Sequence, residues 1–350
     1  MRLAGADVED FAQGCAVLGS GGGGDVEVAV LQAVAALGAH GPVDVVRIDT
    51  LADDALIMPV AGWGAPTVGI EKLGSGREGH ALAEAVRRWF GRPVSAVMAG
   101  EIGGGNGVAP LALAAELGVP LLDADGMGRA FPEGPQVSMH VAGLSPAPVF
   151  LADEHGNLIT LEPVDGAWYE RLARTVAIAF GGTAMGADFV MTAAEARGAI
   201  VEGTVGLALG LGRSVRAAGR SGLVEASGGI LLATGTVTDV ERRTTGGFAR
   251  GTVTLAEGGQ EPVAVHVQNE NLLVDRGARP LAMVPDLIVL LDDATGRAIP
   301  TERVRFGQRV SVLGIPCAAI WRTPRGLAVA GPDAFGYPHP YVPVEELARG

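Results

Sequence analysis

The first half of the sequence alternates short apolar segments with longer amphipathic ones. Four apolar runs have the length and composition of buried strands: "VDVVRID", "ALIMPVA", "PVSAVMAGE" and "VPLLDAD". Four other segments have helical patterning: "DVEDFAQGCAVLG", "DVEVAVLQAVAALG", "GREGHALAEAVRRWFG" and "APLALAAELG". This alternation predicts a mainly parallel sheet with flanking helices, and it constrains the fold more than any other feature of the chain.

Several of these helices carry start and stop signals. Asp7 and Asp25 are predicted N-caps of the first two helices, which we expect to end at Gly19 and Gly38. Pro110 is predicted to lie in the first turn of the fourth helix, where proline is well tolerated.

The second half of the sequence has a different residue pattern. A helical stretch from "DGAWYERLARTVAIAF" to "TAAEARGAIVEGTVGLALGLGRSVRAAG" is followed, beyond Leu223, by short β-type runs separated by glycine turns. The fold class predicted is therefore α/β plus all-β. Residues 1–166 form the α/β domain, and 167–350 form a second domain with a helical connector (167–220) and a β-rich part (221–350), either a barrel or a sandwich.

Charge and composition narrow the possible partners. A chain of 350 residues suits two domains, and 26 basic against 39 acidic residues give a net charge of −13. That balance argues against binding to nucleic acid or to an anionic membrane surface. No apolar run reaches the length of a membrane span and the N-terminus does not resemble a signal peptide.

We therefore expect a cytoplasmic protein that takes a small-molecule substrate. Cys15 and Cys317 are far apart and form no CxxC pattern, which agrees with a reducing compartment. The apolar, glycine-rich composition also favours a homo-oligomer.

Polar residues cluster where the predicted strands end. Ligands of open α/β sheets bind beyond the carboxyl ends of the strands, which points to the loops "GWGAPTVGIEKLGSGRE", "GEIGGGNG" and "DADGMGRAFPEGPQVSMH". The candidate site residues in these loops are Glu71, Glu101, Asn106, Asp123, Asp125, Arg129, Glu133 and His140.

The acidic residues and the histidine are the candidates for catalysis. Glu101 ends an apolar strand, where an unpaired carboxylate is costly, so it needs a catalytic task or a basic partner. Asp123 and Asp125 are two residues apart and should point to the same face. With His140 they are candidates for acid catalysis or for a divalent metal such as zinc. Alternatively, one aspartate caps a turn, the other is solvated, and His140 is a core residue.

The remaining candidates are assigned to substrate binding. Arg129 is suited to gripping a carboxylate group of the substrate, although an internal pair with Glu133 or an aspartate would explain it as well. Glu71, Asn106 and Glu133 are expected to contact the substrate; Asn106 could instead be a turn residue.

The stretch "GSGGGGDVE" resembles a dinucleotide fingerprint in spacing only. That fingerprint needs a strand before the glycines, and here a helix is predicted, so NAD and FAD are disfavoured. No GK[ST] follows the glycines, which removes the P-loop interpretation. Gly21, Gly22, Gly23 and Gly24 could offer backbone N–H groups to a substrate anion, or they could form a plain turn between helices.

A set of sequence blocks extends in order over nearly the whole chain: "LGSGGGGD", "GAPTVGIEKL", "EIGGGNGVAPLALAAELGVPLLDADGMGRAFPE", "ADEHGN", "TGTVTDVERRTTGGFARG", "NENLLV", "PDLIVLLDDATGRAIPTE" and "GPDAFGY". In these blocks the sequence resembles a known family, the S-methyl thiohydantoin desulfurase family, which is often associated with hydantoinase-type genes.

The resemblance implies a two-domain hydrolase that adds water to an S-methylated thiohydantoin and releases methanethiol. Two alternatives stay open. The chain could hydrolyse another cyclic amide, such as a hydantoin or an oxoproline-like lactam, or it could be a non-catalytic subunit of a hydantoinase-type complex. For the hydrolase, we expect Glu101 or Asp125 to activate water, and Asp123 and His140 to act as acids or as metal ligands.

Overall fold

The computed structural model of the chain describes residues 1–64, 68, 72–245, 248–277 and 279–349. Ten helices in these ranges are numbered here: α1 (Val8–Leu18), α2 (Val26–His40), α3 (Glu78–Phe90), α4 (Gly104–Leu117), α5 (Ser138–Ala142), α6 (Gly166–Ala179), α7 (Ala193–Ala196), α8 (Thr204–Ser227), α9 (Pro324–Ala330) and α10 (Val344–Leu347). Short 3-10 helices cover Gly5–Asp7, Ile48–Thr50, Thr301–Arg303, Ala319–Arg322 and Pro332–Phe335.

The strands of the described residues form two sheets. The first contains β1 (Arg2–Leu3), β2 (Val43–Val46), β3 (Leu56–Gly64), β4 (Ala96–Ala99), β5 (Leu121–Asp125), β6 (Val149–Ala152), β7 (Leu158–Leu161), β8 (Thr183–Ala187), β9 (Met191–Thr192) and β10 (Val201–Glu202). The second contains β11 (Ile230–Thr245), β12 (Phe248–Ala256), β13 (Val263–Gln268), β14 (Glu270–Arg276), β15 (Arg279–Met283), β16 (Leu287–Asp292) and β17 (Arg309–Ile315).

The first sheet has the strand order β1-β2-β5-β4-β3-β8-β6-β7. Its central strands β2, β5, β4 and β3 are parallel, as predicted. Helix α3 connects β3 to β4, and α4 connects β4 to β5. Strands β8, β6 and β7 extend the sheet in antiparallel pairing, so the sheet is mixed. The α/β character predicted for the first half of the chain is confirmed.

The second sheet is antiparallel throughout, in the order β15-β14-β13-β12-β11-β17-β16. Its end strand β16 lies against β14, where the side-chain amide of Asn271 donates to the carbonyl oxygen of Ile288 at 2.9 Å. The sheet therefore bends back on itself as a half-barrel, which confirms the prediction of a β-rich second half.

The segment 167–220, predicted as a helical connector, contains three strands as well as helices. Strand β8 pairs with β3 and β6, and β9 and β10 pair with β3 and β5, so this segment completes the first sheet. These strands carry little sequence signal, because β9 and β10 are only two residues long and β8, "TAMGA", consists mostly of small residues without strand-type alternation.

The helix signals were right in part. The Asp25 carboxylate caps α2 by accepting from the N–H of Glu27 at 2.9 Å, as predicted. Helix α2 runs past Gly38 and ends before Gly41, which has a positive φ of 89°. Pro110 lies inside α4 and not in its first turn, because α4 already begins at Gly104.

The helices α1 and α8 pack with their backbones close together. A Cβ atom added at Gly14 of α1 would lie 1.7 Å from the carbonyl oxygen of Ala208, and one added at Gly212 of α8 would lie 1.7 Å from that of Asp10. The Asp10 carboxylate also pairs with Arg216 of α8 at 2.7 Å. None of the helices in the described ranges has both the length and the apolar character needed to cross a membrane.

The substitution Gly14→Ala is expected to lower the free energy of unfolding by ~1–3 kcal/mol, because the two helices must move apart to admit the methyl group. The control is Gly38→Ala on the exposed side of α2, where no atom lies within 4 Å of the added Cβ. It should stabilise the protein by ~0.5–1 kcal/mol. Chemical denaturation measures both changes, and a wild-type midpoint for Gly14→Ala would contradict the packing argument.

Candidate functional site

A cavity of about 450 Å³ lies beyond the ends of β3 and β4, where the strand-end rule places a ligand. The part of the chain that forms the first sheet contributes part of the glycine loop (Gly21 to Gly24), the end of β3, the start of α4, the chain around Phe131, and also Tyr169 and Asp188. The part that forms the second sheet, called the second domain from here on, contributes Asn269, Glu270 and Arg303. The cleft is therefore built by both domains.

Glu101 lies in this cleft and is 6% exposed. The side-chain amide of Asn106, in the first turn of α4, donates to its Oε1 at 2.5 Å, and the backbone N–H of Phe131 donates to its Oε2 at 3.3 Å. Burial raises the pKa of Glu101 to about 8, although these two donors oppose the shift. A carboxyl group with such a pKa can exchange a proton near neutral pH.

Glu270, at the start of β14, faces the same cleft and is 2% exposed. The N–H of Gly23 donates to its carboxyl group, while Oε2 has no hydrogen-bond partner among the described residues. Burial raises the pKa of Glu270 well above its usual range, and the negative charge of Glu101 raises it further. Two buried carboxyl groups therefore share one cleft.

Glu270 is not among the site residues predicted from the sequence. It comes from the second domain, far along the chain from the strand-end loops. The one available signal was the polar cluster "QNEN" at the entry to the apolar strand β14.

Arg129 is completely buried and does not line the cleft. Its Nε donates to the carbonyl oxygen of Ala130 at 2.9 Å, and its Nη1 donates to those of Pro285 and Asp286 at 2.9 and 2.8 Å. The guanidinium lies 4.5 Å from the ring centre of Phe131, which does line the cleft. The alternative of an internal pair with Glu133 is not formed, because these three hydrogen bonds all go to backbone carbonyl oxygens.

The glycine loop directs its carbonyl oxygens toward the N-terminus of α4. The carbonyl oxygens of Gly23 and Gly24 accept from the N–H groups of Asn106 and Gly105 at 3.0 and 2.8 Å. Gly23 and Gly24 also line the cleft. The loop thus caps α4 and places the Gly23 N–H against Glu270.

The other two glycines allow the second domain to come close. A Cβ atom at Gly22 would lie 2.0 Å from Oε1 of Glu270, and one at Gly21 would lie 2.7 Å from the side-chain amide of Asn271. These positions must remain free of side chains for β14 to reach the cleft.

The two aspartates of β5, Asp123 and Asp125, serve as hydrogen-bond acceptors for the backbone. Asp125 is buried and accepts from the N–H groups of Ile102, Met127 and Gly128 at 2.8 to 2.9 Å. Burial raises its pKa to about 7. Asp123 accepts from the N–H of Gly206 in the first turn of α8 at 2.9 Å. Asp125 therefore holds the loop that carries Glu101, and neither aspartate lines the cleft.

His140 lies on α5, away from the cleft lining. Partial burial and the charge of Arg325 lower its pKa. Within the described ranges, no three His, Cys, Asp or Glu side chains are grouped as a metal site would require. The structure therefore does not bring Asp123, Asp125 and His140 together as the predicted metal ligands.

Two predicted substrate contacts remain. Glu133 lines the cleft, and burial followed by the charge of Glu170 raises its pKa. Asn106 also lines the cleft, where it binds Glu101 and accepts from the N–H of Gly62 at 2.9 Å. Glu71 lies outside the described residues.

An aromatic wall, which the sequence analysis did not identify, faces part of the cleft. The rings of Trp63 and Tyr169 meet edge to face with centres 5.3 Å apart. The Tyr169 hydroxyl donates to Oδ2 of Asp188 at 2.6 Å, and burial raises the pKa of Asp188 to about 6. Flat apolar surfaces with fixed polar groups suit a small heterocyclic ring.

Comparison with known families supports the sequence resemblance. One family model, described as "S-Me-THD-like, N-terminal domain", matches residues 6–163, and a second, "S-Me-THD-like, C-terminal domain", matches residues 164–344. The chain belongs to the S-Me-THD-like family. The two models together span nearly all of it.

A solved structure shares the fold. It is the crystal structure of a protein from Chromobacterium violaceum, 29% identical, with a TM-score of 0.82, covering 98% of this chain and 100% of its own. No curated protein matches the chain.

The substitution Gly22→Ala is expected to displace the Glu270 carboxyl group, because the added Cβ would overlap Oε1. Turnover of any substrate of the cleft should fall at least about tenfold, a loss typical of a misplaced catalytic group. The control Gly38→Ala should leave turnover unchanged. Kinetic assays with both variants measure the effect, and wild-type turnover in Gly22→Ala would contradict the placement of Glu270.

Proposed function

We propose that the protein is a hydrolase that acts on a small hydantoin-like heterocycle, with S-methyl thiohydantoin desulfurase chemistry. In this reaction water adds to the ring carbon C2 and methanethiol leaves. The observation that carries the proposal is the pair of buried carboxyl groups, Glu101 and Glu270, in one cleft. The family to which the chain belongs supports the same reaction class.

The two carboxyl groups differ in their hydrogen bonds, and this difference assigns their roles. Glu101 accepts from Asn106 and Phe131, and both bonds favour its ionised form. Burial raises the pKa of Glu270 well above its usual range and the charge of Glu101 raises it further, while its Oε2 has no hydrogen-bond partner among the described residues. We therefore assign Glu101 as the general base and Glu270 as the general acid.

The first step forms the bond between C2 and the water oxygen. Glu101 takes a proton from the water as its oxygen adds to C2. The electron pair of the C2–N double bond moves to the ring nitrogen, which takes the proton of Glu270. The product of this step is a tetrahedral intermediate that carries both the new hydroxyl group and the thiomethyl group.

The second step breaks the C2–S bond. The hydroxyl proton of the intermediate passes to Glu270, and the C2–O bond becomes a carbonyl bond. The electron pair of the C2–S bond leaves with sulfur, which takes the proton held by Glu101. The products are the hydantoin and methanethiol, and both carboxyl groups return to their starting states.

The proposed roles predict the effect of removing either carboxyl group. Glu101→Gln and Glu270→Gln should each lower kcat/KM at least ~100-fold, the usual contribution of a general acid or base. Asp10→Asn is the control, because Asp10 is a buried carboxylate outside the cleft lining. The assay is thiol release from an S-methylated thiohydantoin, with folding checked by thermal unfolding. Near-normal turnover in both folded cleft variants would contradict the assignment.

The pH profile is part of the same test. A base must be deprotonated to act, so wild-type kcat/KM should rise as the pH increases through about 8, the pKa of Glu101. This rise should be absent from the residual activity of Glu101→Gln.

A substrate panel separates this function from the two alternatives. It contains an S-methylated thiohydantoin, a hydantoin and an oxoproline-like lactam. Thiol release from the first compound supports the proposal, whereas ring opening of the other two supports a cyclic-amide hydrolase. No turnover, combined with stable co-purification with a hydantoinase-type protein, would indicate an accessory subunit.

A further inference from the structure

Asp188 follows strand β8 and is a buried carboxyl group in the wall of the cleft. It is 8% exposed and lines the cavity together with Trp63 and Tyr169 of the aromatic wall. The Tyr169 hydroxyl donates to its Oδ2 at 2.6 Å, and the indole N–H of Trp63 is a second donor to the carboxyl group. Both donors are neutral, and no cationic side chain in the described ranges forms an ion pair with Asp188. Hydrogen bonds alone therefore stabilise its ionised form.

Two glycines fix the position of the aromatic wall beside Asp188. A Cβ atom at Gly186 of β8 would lie 2.7 Å from Cδ1 of Trp63. A Cβ atom at Gly134 would lie 2.4 Å from Cη2 of Trp63 and 2.7 Å from Cε1 of Tyr169. The indole thus contacts backbone at both ends, and packing holds the two donors of Asp188 in place.

The backbone turns sharply immediately after Asp188. Phe189 has a φ of 47°, a left-handed conformation that residues other than glycine seldom adopt. Its N–H donates to the carbonyl oxygen of Pro146 at 3.2 Å, and its ring meets that of Tyr169 edge to face with centres 5.9 Å apart. Strained backbone of this kind is concentrated at ligand sites. The turn buries Phe189 and leaves Asp188 in the wall of the cleft.

Asp188 retains acceptor sites that the protein does not use. A carboxylate offers about four lone-pair sites for hydrogen bonds. Tyr169 and Trp63 are the two donors that reach it within the described ranges. Burial raises the pKa of Asp188 to about 6, so the carboxylate form still predominates at and above neutral pH. Because a carboxylate only accepts hydrogen bonds, a ligand that binds to Asp188 must bring a donor.

A chain of contacts connects Asp188 to the catalytic carboxyl group Glu101. The side-chain amide of Asn106 donates to Glu101 at 2.5 Å, and its oxygen accepts from the N–H of Gly62 in β3 at 2.9 Å. Trp63 follows Gly62 in the same strand and donates to Asp188. The acceptor and the catalytic group therefore line one cavity and are positioned by the same strand end.

We propose that Asp188 is a specificity-determining residue that accepts a hydrogen bond from a ring N–H of the heterocycle. This role rests on the proposed function, in which C2 lies between two ring nitrogens. One nitrogen shares the C2–N double bond and takes the proton of Glu270, and the other carries a hydrogen atom. Asp188 binds that hydrogen atom, so the cleft selects heterocycles that are unsubstituted at this nitrogen.

Hydantoin and its two monomethyl isomers, each methylated at one ring nitrogen, test the proposal without turnover. Hydantoin is the proposed product and has an N–H group at both ring nitrogens. In calorimetric titrations of the wild type, one of the two isomers should bind at least about tenfold more weakly than hydantoin, the usual effect of losing a hydrogen bond to a charged group.

The variant Asp188→Asn reverses the polarity of the site at nearly constant volume. The asparagine oxygen can accept from Tyr169, which leaves its NH2 group as a donor where the ligand N–H needs an acceptor. Affinity for hydantoin should fall at least about tenfold, and the difference between hydantoin and the discriminated isomer should shrink below about threefold, because the two changes remove the same contact. Asp10→Asn is the matched control and should keep the wild-type affinities, since Asp10 lies outside the cleft lining.

Three results would overturn the proposal: wild type that does not bind hydantoin, wild type that binds hydantoin and both isomers equally, and folded Asp188→Asn that discriminates as the wild type does. If Asp188→Asn does not fold, the wild-type comparison decides alone. Discrimination that depends on Asp188, in a protein that hydrolyses nothing on the panel, supports the N–H site and rejects the proposed function. Thiol release with discrimination that is unchanged in Asp188→Asn supports the hydrolase and rejects this role of Asp188.

Discussion

The contact between the glycine loop and the second domain is the interaction on which the cleft depends. The carbonyl oxygen of Ser20 accepts from the N–H of Asn271 at 2.8 Å, and that of Gly21 accepts from the N–H of Thr301 at 2.8 Å. The Ser20 hydroxyl also bonds both the N–H and the carbonyl oxygen of Ile288 at 2.9 Å. A Cβ atom at Gly21 or Gly22 would overlap Asn271 or Glu270, so these two glycines permit the approach that brings Glu270 into the same cleft as Glu101.

Burial raises the pKa values of the two carboxyl groups, which suits proton transfer, but their removal from water also costs folding free energy. Removing a carboxylate from water raises its pKa, which moves proton exchange by Glu101 toward neutral pH. The donors that limit the cost come from separate parts of the chain: Asn106 at the start of α4, Phe131 and Gly23. The contacts that join the glycine loop, α4 and the second domain therefore also affect the pKa values of Glu101 and Glu270.

Sequence patterning predicted what is determined locally. The four parallel strands, most of the helices and the strand-end location of Glu101 and Asn106 follow from periodicity and from the rule for open sheets. The antiparallel strand β8 was missed because its small residues carry no strand pattern. Glu270 was missed because its place in the cleft depends on contacts between domains that no local pattern encodes.

For the two aspartates, the sequence pattern indicated a functional pair, whereas the structure shows hydrogen bonds to the backbone. Asp123 and Asp125 have the spacing of a paired functional site, yet backbone N–H groups occupy them. Arg129 was predicted to bind a substrate carboxylate, and the hydrogen bonds of its Nε and Nη1 go to backbone carbonyl oxygens. Several of these partners, namely Ile102, Gly206, Pro285 and Asp286, come from distant parts of the chain that only the tertiary structure brings together.

The central claim is that water adds to the ring carbon that carries the leaving group. Turnover of an S-methylated thiohydantoin in water enriched with the heavy isotope of oxygen tests it most directly, with the products followed by mass spectrometry. The account predicts one heavy oxygen atom in the new ring carbonyl and the thiomethyl group recovered as methanethiol. A ring-opened product that keeps its thiomethyl group, with heavy oxygen in a new carboxylate, would contradict it.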